Sequence, residues 1–500
     1  MRANYQTDTT PLFRVLSDHQ IEDIYLAALE VLERTGARVH HDEALALLRD
    51  AGCHVSDGNL VRIPPWLVKA SLATAPERIT VAGRDRAHRM TLEHNPGGSG
   101  AALRGVYFGT GSDCPFILDP YTDGRRRYTF EDVYQAAKIA EASPNIDFHM
   151  SLGLTSDVPV RSYDRHQFLA MVKGTAKPLV ITAVDRDGLA DQYQMACEVV
   201  GGPEEFARAP LCVVYVEPSS PLSHSQAAVE KLLYAAAQGI PVIYTPCPIC
   251  GATAPATLAG LLVQCLAENL TGVVLAQLRK KGAAVIIGGV VSIMDMSTTI
   301  LSYGAPEMTL LSAAMTDVCK WLRLPMFSTA GCGDAKVLDQ QAAIEASVSL
   351  TVAALSGANL IHDVGYLESG LVGSYDMLVM SDEVIGMVKR ILRGVAVDDD
   401  HLAVEVIHGV GPGGHFLADD HTVRHFRREF WFPSLMDRSR REGWEKAGQK
   451  TLGQRVREKV KDIIENFEPP ALPPGVEDKL KAICRRADER YARGGQGSFG

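Results

Sequence analysis

The sequence predicts an α/β fold, a (β/α)8 barrel framed by helical segments, and three observations predict it. From about Gly105 onward, short apolar runs alternate with helical stretches at spacings of roughly 30 to 40 residues, as βα units require. Eight such runs occur, and several open on Pro or Gly. Eight parallel strands joined by helical crossovers close into a barrel.

The strands are expected at 106–109, 146–152, 179–183, 211–216, 241–245, 284–288, 325–328 and 359–362. Thr129 with Glu131 and Asp132 opens one connecting helix, 227–238 forms another, and 339–355 is a long helix of small residues. A further helix at 381–393 follows the eighth strand.

Before the barrel, Ser17-Asp18-His19-Gln20 has the form of a capping box and leads into Ile21, Ile24, Tyr25, Ala28 and Leu32, with Gly36 as the stop. Helices at 42–51 and, after Pro64-Pro65, at 66–75 complete a helical region over 1–100 that packs on the barrel. The barrel occupies 101–395. Residues 396–500 form a charged helical extension broken at Pro469-Pro470 and Pro473-Pro474, with a disordered tail from Gly494.

With 60 acidic and 50 basic residues among 500, the net charge is −10, and no basic stripe suits a phosphate backbone, which argues against nucleic acid. No charge occurs between Lys231 and Glu268, but Gly239, Pro241, Pro246, Pro248, Gly251 and Pro255 interrupt that stretch, so no membrane span is expected. The polar start, Met1 to Thr10, resembles no secretory leader, and the ten cysteines sit at irregular spacings in apolar segments such as Leu211-Cys212-Val213-Val214. A cytoplasmic location follows. Large barrel enzymes are often homo-oligomers, though the sequence offers no seam to point to.

In a barrel the chemistry sits past the C-terminal strand ends. Those positions hold Gly109-Thr110-Gly111-Ser112-Asp113, Glu217-Pro218-Ser219-Ser220, Tyr244-Thr245-Pro246-Cys247, Thr329 to Asp334, and His362-Asp363-Val364-Gly365-Tyr366. His362 and Glu217 are candidate functional groups, against the plainer readings of a satisfied core histidine and a solvated rim acid. Tyr107, Phe108, Tyr244, Phe327 and Tyr366 fall at or near strand ends, where ring faces can hold a quaternary ammonium that has no N–H to donate. For any single ring, core packing is the alternative.

No metal set is read from the sequence. Cys247-Pro248-Ile249-Cys250 has no second pair, and His421 to His425 lacks the glutamate of a metalloprotease helix, so buried thiols and a solvated helix face explain them. Gly-Thr-Gly-Ser at 109–112 lacks the lysine and spacing of a phosphate loop. The run His408 to Phe416 is so rich in glycine that a backbone must come close to something, either a partner's cofactor or a tight interdomain turn.

Several runs in order resemble those of the trimethylamine methyltransferase superfamily: Val106-Tyr107-Phe108-Gly109, Pro144-Asn145-Ile146-Asp147-Phe148, Thr329-Ala330-Gly331-Cys332, Asn359 through Glu368, and Gly411-Pro412-Gly413-Gly414-His415-Phe416. The likeness extends from about Leu16 to the region of Phe467. It implies a barrel enzyme that passes a methyl group from an amine to the Co(I) corrinoid of a separate protein, with no cofactor bound by this chain itself. Founding members carry pyrrolysine in the cavity, where its imine ring captures trimethylamine, and this sequence has none.

A quaternary amine already has a neutral leaving group, so the departure points to betaines such as glycine betaine, proline betaine or carnitine. On this reading His362 and Tyr366 position the substrate, Glu217 or Asp334 balances its ammonium, and Gly411, Gly413, Gly414 and His415 meet the partner's corrinoid. The alternatives are a methyltransferase with another one-carbon acceptor, a zinc-dependent barrel enzyme, and a quaternary amine binder without turnover.

Overall fold

The computed structural model describes residues 11–94 and 105–492; the tail from Gly494 and the boundary near residue 100 lie outside them. The barrel strands, numbered here in chain order, are β1 (Tyr107–Thr110), β2 (148–149), β3 (Leu179–Ile181), β4 (Cys212–Val216), β5 (Val242–Tyr244), β6 (Val285–Gly288), β7 (Met326–Thr329) and β8 (Leu360–Val364). All but β2 form one parallel sheet in the order β1-β8-β7-β6-β5-β4-β3. Parallel bridges from Gly109 to Phe148 and from His149 to Leu179 place β2 between β1 and β3 and close the barrel. Each strand is covered on both faces, which is why it reads as a continuous apolar run.

Side chains alternate between the barrel interior and the surrounding helices. Phe148, Val180, Val213, Ile243, Ile286, Phe327 and Leu360 fill the interior, with Tyr107 and Tyr215 packed against them. Ile79, Val81, Met90 and Leu92 join this cluster from an N-terminal hairpin, Arg78–Ala82 paired with Arg89–Glu93. Ala82 N–H donates to the Pro210 carbonyl at 2.9 Å, and Asn359 Nδ2 donates to the Glu93 carbonyl at 2.9 Å. Both partners sit where strands begin, so the hairpin plugs that end of the barrel.

The 22-residue helix Leu258–Arg279 is long and apolar enough to cross a membrane by length and composition. Its covering is protein instead. It is wedged between the barrel and the helices Asp18–Glu30, Asp42–Asp50 and Pro65–Leu72, and most of its residues are buried. The expected capping box is present, with Gln20 N–H donating to Ser17 Oγ at 3.3 Å and Ser17 N–H to Gln20 Oε1 at 2.9 Å.

The N-terminal region is not purely helical. Ala37–Val39, Leu60–Arg62 and His54–Ser56 form a small sheet completed by Ser223–His224, which comes from the loop after β4. Strands of three residues are too short for an alternating pattern to show. After the barrel, Leu452–Asn466 buries Val456, Val460 and Ile463 against Phe130–Ala142 and Tyr375–Leu392, while Val476–Ala492 packs on Tyr163–Gly174 and Arg186–Val200. The helix expected at 381–393 begins earlier, at Tyr375, where the Ser374 hydroxyl caps it.

Candidate active site

At the C-terminal mouth the alternation brings Tyr215 and Glu217 together from the end of β4, because residues two apart on a strand share a face. Tyr215 Oη donates to Glu217 Oε2 at 2.8 Å. Glu217 is exposed to solvent, and yet burial is the main cause that raises its carboxyl above the usual range. Both hold for a carboxylate that solvent reaches while protein surrounds it at the barrel mouth. Lys231 stands nearby, held by a 2.8 Å bond to the Ala183 carbonyl, and burial lowers its pKa.

His362 lies within β8, stacked on Phe327 with ring centroids 3.9 Å apart. Its Nδ1 is 2.8 Å from the Ser328 carbonyl, which can only accept, so Nδ1 carries the proton and Nε2 keeps its lone pair. Burial pushes its pKa down to about 3. Nε2 faces Asp363 Oδ1 at 3.2 Å, and burial pushes that carboxyl well above the usual range, which favours a protonated Asp363 able to donate to Nε2. Nitrogen NMR of the imidazole is expected to show one neutral tautomer between pH 5 and 8, about the span in which an unperturbed histidine titrates. Turnover should show no inflection near 6.5, the ordinary histidine value, from this residue.

Asp363 and Asp113 have φ of 74° and 66°, left-handed conformations that side chains rarely adopt outside functional sites and tight turns. Asp113 accepts from Gln167 Nε2 at 3.0 Å, Ser112 Oγ at 3.2 Å and Thr182 Oγ1 at 3.4 Å, and burial raises its pKa. The hydroxyl of Tyr366 donates to the Ser112 carbonyl. Glycine is required at 111 because a Cβ there would collide with the Tyr366 ring and Asp363. That loop serves close packing and does not cradle a phosphate.

The carboxylate of Asp334 is taken up by partners within the protein. It accepts from the Tyr303 amide at 2.7 Å, from Ser369 Oγ at 2.7 Å and from the Ser302 hydroxyl. It therefore fixes Tyr303, whose ring lies parallel to that of Tyr366 with centroids 6.4 Å apart. Tyr303 follows the hairpin Ser292–Asp295 and Ile300–Ser302, inserted after β6.

Three expected rings are elsewhere. Tyr244 and Phe108 alternate outward into the helical layer. Tyr244 bonds His224 Nδ1 at 2.7 Å, and a Cβ on Gly272 would strike its ring, so Gly272→Ala should destabilise the fold by about 1–3 kcal/mol, read from the urea midpoint. Tyr107 points inward but at the wrong end, where its hydroxyl accepts the Thr91 amide of the hairpin plug at 2.9 Å. Of the rings expected, Phe327 under His362 and Tyr366 at the rim are brought to the site.

The glycine segment is also away from the mouth. Gly411 and Gly413 have φ of 69° and 83°, and Gly414 and His415 are exposed. Its flanking helices reach the barrel through Arg390, which donates to the Glu429 carbonyl at 2.6 Å, and through Trp431. Trp431 shares a groove with Val106, Tyr107 and Asp147, where strands begin. The left-handed turns account for the glycines.

Sequence reasoning singled out no role for Tyr215, Tyr303 or Lys231. Parity from Glu217 would have found Tyr215, whereas Tyr303 sits in an insertion without periodicity. All ten cysteines are free; Cys247 borders the site, where burial keeps its thiol protonated.

The trimethylamine methyltransferase (MTTB) family model matches residues 1–491. The trimethylamine methyltransferase MttB of Desulfitobacterium hafniense is 33% identical over 483 residues, covering 95% of this chain and 94% of its own. The glycine betaine methyltransferase of Desulfitobacterium hafniense strain Y51 is 32% identical over 485 residues, covering 96% and 98%. Among solved structures, the monomethylamine methyltransferase MtmB of Methanosarcina barkeri aligns over 96% of this chain and 88% of its own, at 11% identity and a TM-score of 0.49. The chain belongs to the trimethylamine methyltransferase family.

Proposed function

We propose that this protein takes a methyl group from a small quaternary amine of the betaine class and delivers it to the Co(I) corrinoid of a separate protein. The observation that carries the amine is Glu217, a solvent-accessible carboxylate at the C-terminal end of β4, bonded to the hydroxyl of Tyr215 and with its pKa raised mainly by the protein around it. A cation without N–H groups is held by charge and by ring faces, each ring contributing about 0.5–2 kcal/mol. Lys231 offers a betaine's carboxylate the opposite charge.

The corrinoid, when its carrier protein docks, supplies the nucleophile that attacks the N-methyl carbon. On this reading the acceptor approaches the C-terminal mouth, where Glu217 and His362 lie, and not the segment Gly411 to His415, whose neighbour Trp431 packs near Val106 and Asp147, where strands begin. The chain's own residues orient the ammonium and exclude water. His362, neutral, tied through Nδ1 to Ser328 and facing Asp363 through Nε2, shapes the floor without adding charge. Displacement of a neutral tertiary amine needs no general acid.

The test is methylation of a Co(I) corrinoid protein, followed by its visible spectrum, with glycine betaine, proline betaine, carnitine, choline and trimethylamine offered separately. Turnover with a quaternary amine and none with trimethylamine is expected. Silence with every amine, while the corrinoid protein accepts methyl groups in a control, would reject the proposal.

A further inference from the structure

The helix Asp420–Glu429 carries His421 and His425 four residues apart, so both imidazoles leave one face of it. The short helix Asp399–Leu402 lies across that face and brings Asp400. One donor atom from each of the three side chains lies within 4.8 Å of the others. The two imidazole rings are 4.2 Å apart, and His425 Nε2 is 3.0 Å from Asp400 Oδ2.

That nitrogen is buried, and it makes no hydrogen bond of acceptable geometry despite the short separation. A buried nitrogen left in this state requires an explanation, and an ion is among the few that suffice. Two imidazoles and a carboxylate this close together offer the nitrogen and oxygen donor set that zinc accepts, with His421 Nε2 at present 3.0 Å from the Asp400 backbone carbonyl.

We infer that His421, His425 and Asp400 bind one divalent transition-metal ion of the zinc class, with water in the fourth position. Tetrahedral ligands at about 2.0–2.1 Å stand about 3.4 Å from one another, so donors now up to 4.8 Å apart close by at most about 1.4 Å on binding, while His425 Nε2 and Asp400 Oδ2, 3.0 Å apart, separate slightly. The guanidinium of Arg424, 3.6 Å from Asp400 Oδ1, remains as an outer partner of the carboxylate. His401 is already committed, its Nδ1 lying 2.6 Å from Asp398 Oδ1.

The ion has a structural task. It ties Asp399–Leu402 to Asp420–Glu429 across the glycine-rich connection, in a segment where none of the described residues of either helix is buried. The site shares no residue with that of Glu217 and His362 and lies on the part of the chain after the barrel, anchored through Arg390 and Glu429. It does not depend on the proposed methyl transfer.

The full-length protein, stripped with a chelator, should take up one equivalent of zinc chloride by calorimetry, and its thermal midpoint should rise as zinc is added. Cobalt chloride should give the visible bands of a tetrahedral or five-coordinate ion. His421→Gln, His425→Gln and Asp400→Asn should each weaken zinc at least tenfold and abolish the thermal shift. Circular dichroism identifies the variants that fold, and those carry the comparison. A silent titration of the wild type overturns the inference, as do folded variants that bind zinc as tightly as the wild type at the Cys247 and Cys250 thiols or elsewhere.

Discussion

Glu217→Gln is expected to lower kcat/KM for a quaternary amine roughly 30- to 150-fold, about 2–3 kcal/mol. Removing one partner of a buried charge pair costs about 3–5 kcal/mol, and the accessibility of Glu217 reduces that through solvent screening. The loss should appear in KM. The ammonium's charge declines as its methyl group departs, so Glu217 holds the bound substrate at least as tightly as the transition state.

Protonating Glu217 has the same consequence as the substitution. Its pKa is raised by burial, and the substrate cation binds the ionised form, so affinity is complete above that pKa and is lost as pH falls through it. KM measured from pH 8 downward should therefore climb in the wild type and stay level in the Gln variant. A level profile in both would remove Glu217 from the ammonium site.

Phe327→Ala should destabilise the protein by about 3–5 kcal/mol, read as a lower urea midpoint with an unchanged slope. Phe327 is fully buried in the barrel interior and supports His362 from below. Phe327→Leu keeps most of the volume and should recover most of the loss. A folded Ala variant should also bind the amine more weakly, because His362 loses its stacking partner and with it a fixed orientation. A variant as stable as the wild type would place the load of the interior elsewhere.

The barrel was legible because parallel strands covered on both sides leave unbroken apolar runs, and Pro or Gly marks where each begins. That same covering hid which residues face inward. In Val242–Tyr244 and Tyr107–Thr110 both faces are apolar, so the sequence could not show that Tyr244 and Phe108 belong to the helical layer. Only a charge breaks the symmetry. Glu217 marks the inner face of β4, and Tyr215 two residues earlier shares it.

Position along a strand was equally hidden for Tyr107, which serves the plug end. Asp334 was correctly read as a residue past β7, but its partners, Ser302, Tyr303 and Ser369, come from loops whose approach no local pattern encodes. Asp400 meets His421 and His425 for the same reason, by a fold-back across the glycine connection. In the hairpin at Arg78–Ala82 and Arg89–Glu93, by contrast, Ile79, Val81, Met90 and Leu92 alternate with polar residues, a signal plain enough to read.

That hairpin leaves the barrel a single door. With one end of the barrel plugged by Ile79, Val81, Met90 and Leu92, whatever enters and whatever leaves must share the mouth. An acceptor protein seated over the mouth would then confine the amine beneath it. Substrate must arrive before the acceptor docks, and the demethylated amine can depart only after it lifts away. The methyl transfer proposed above would then follow a compulsory order, and an excess of the unmethylated acceptor should slow turnover by occupying the door before the amine has passed through it.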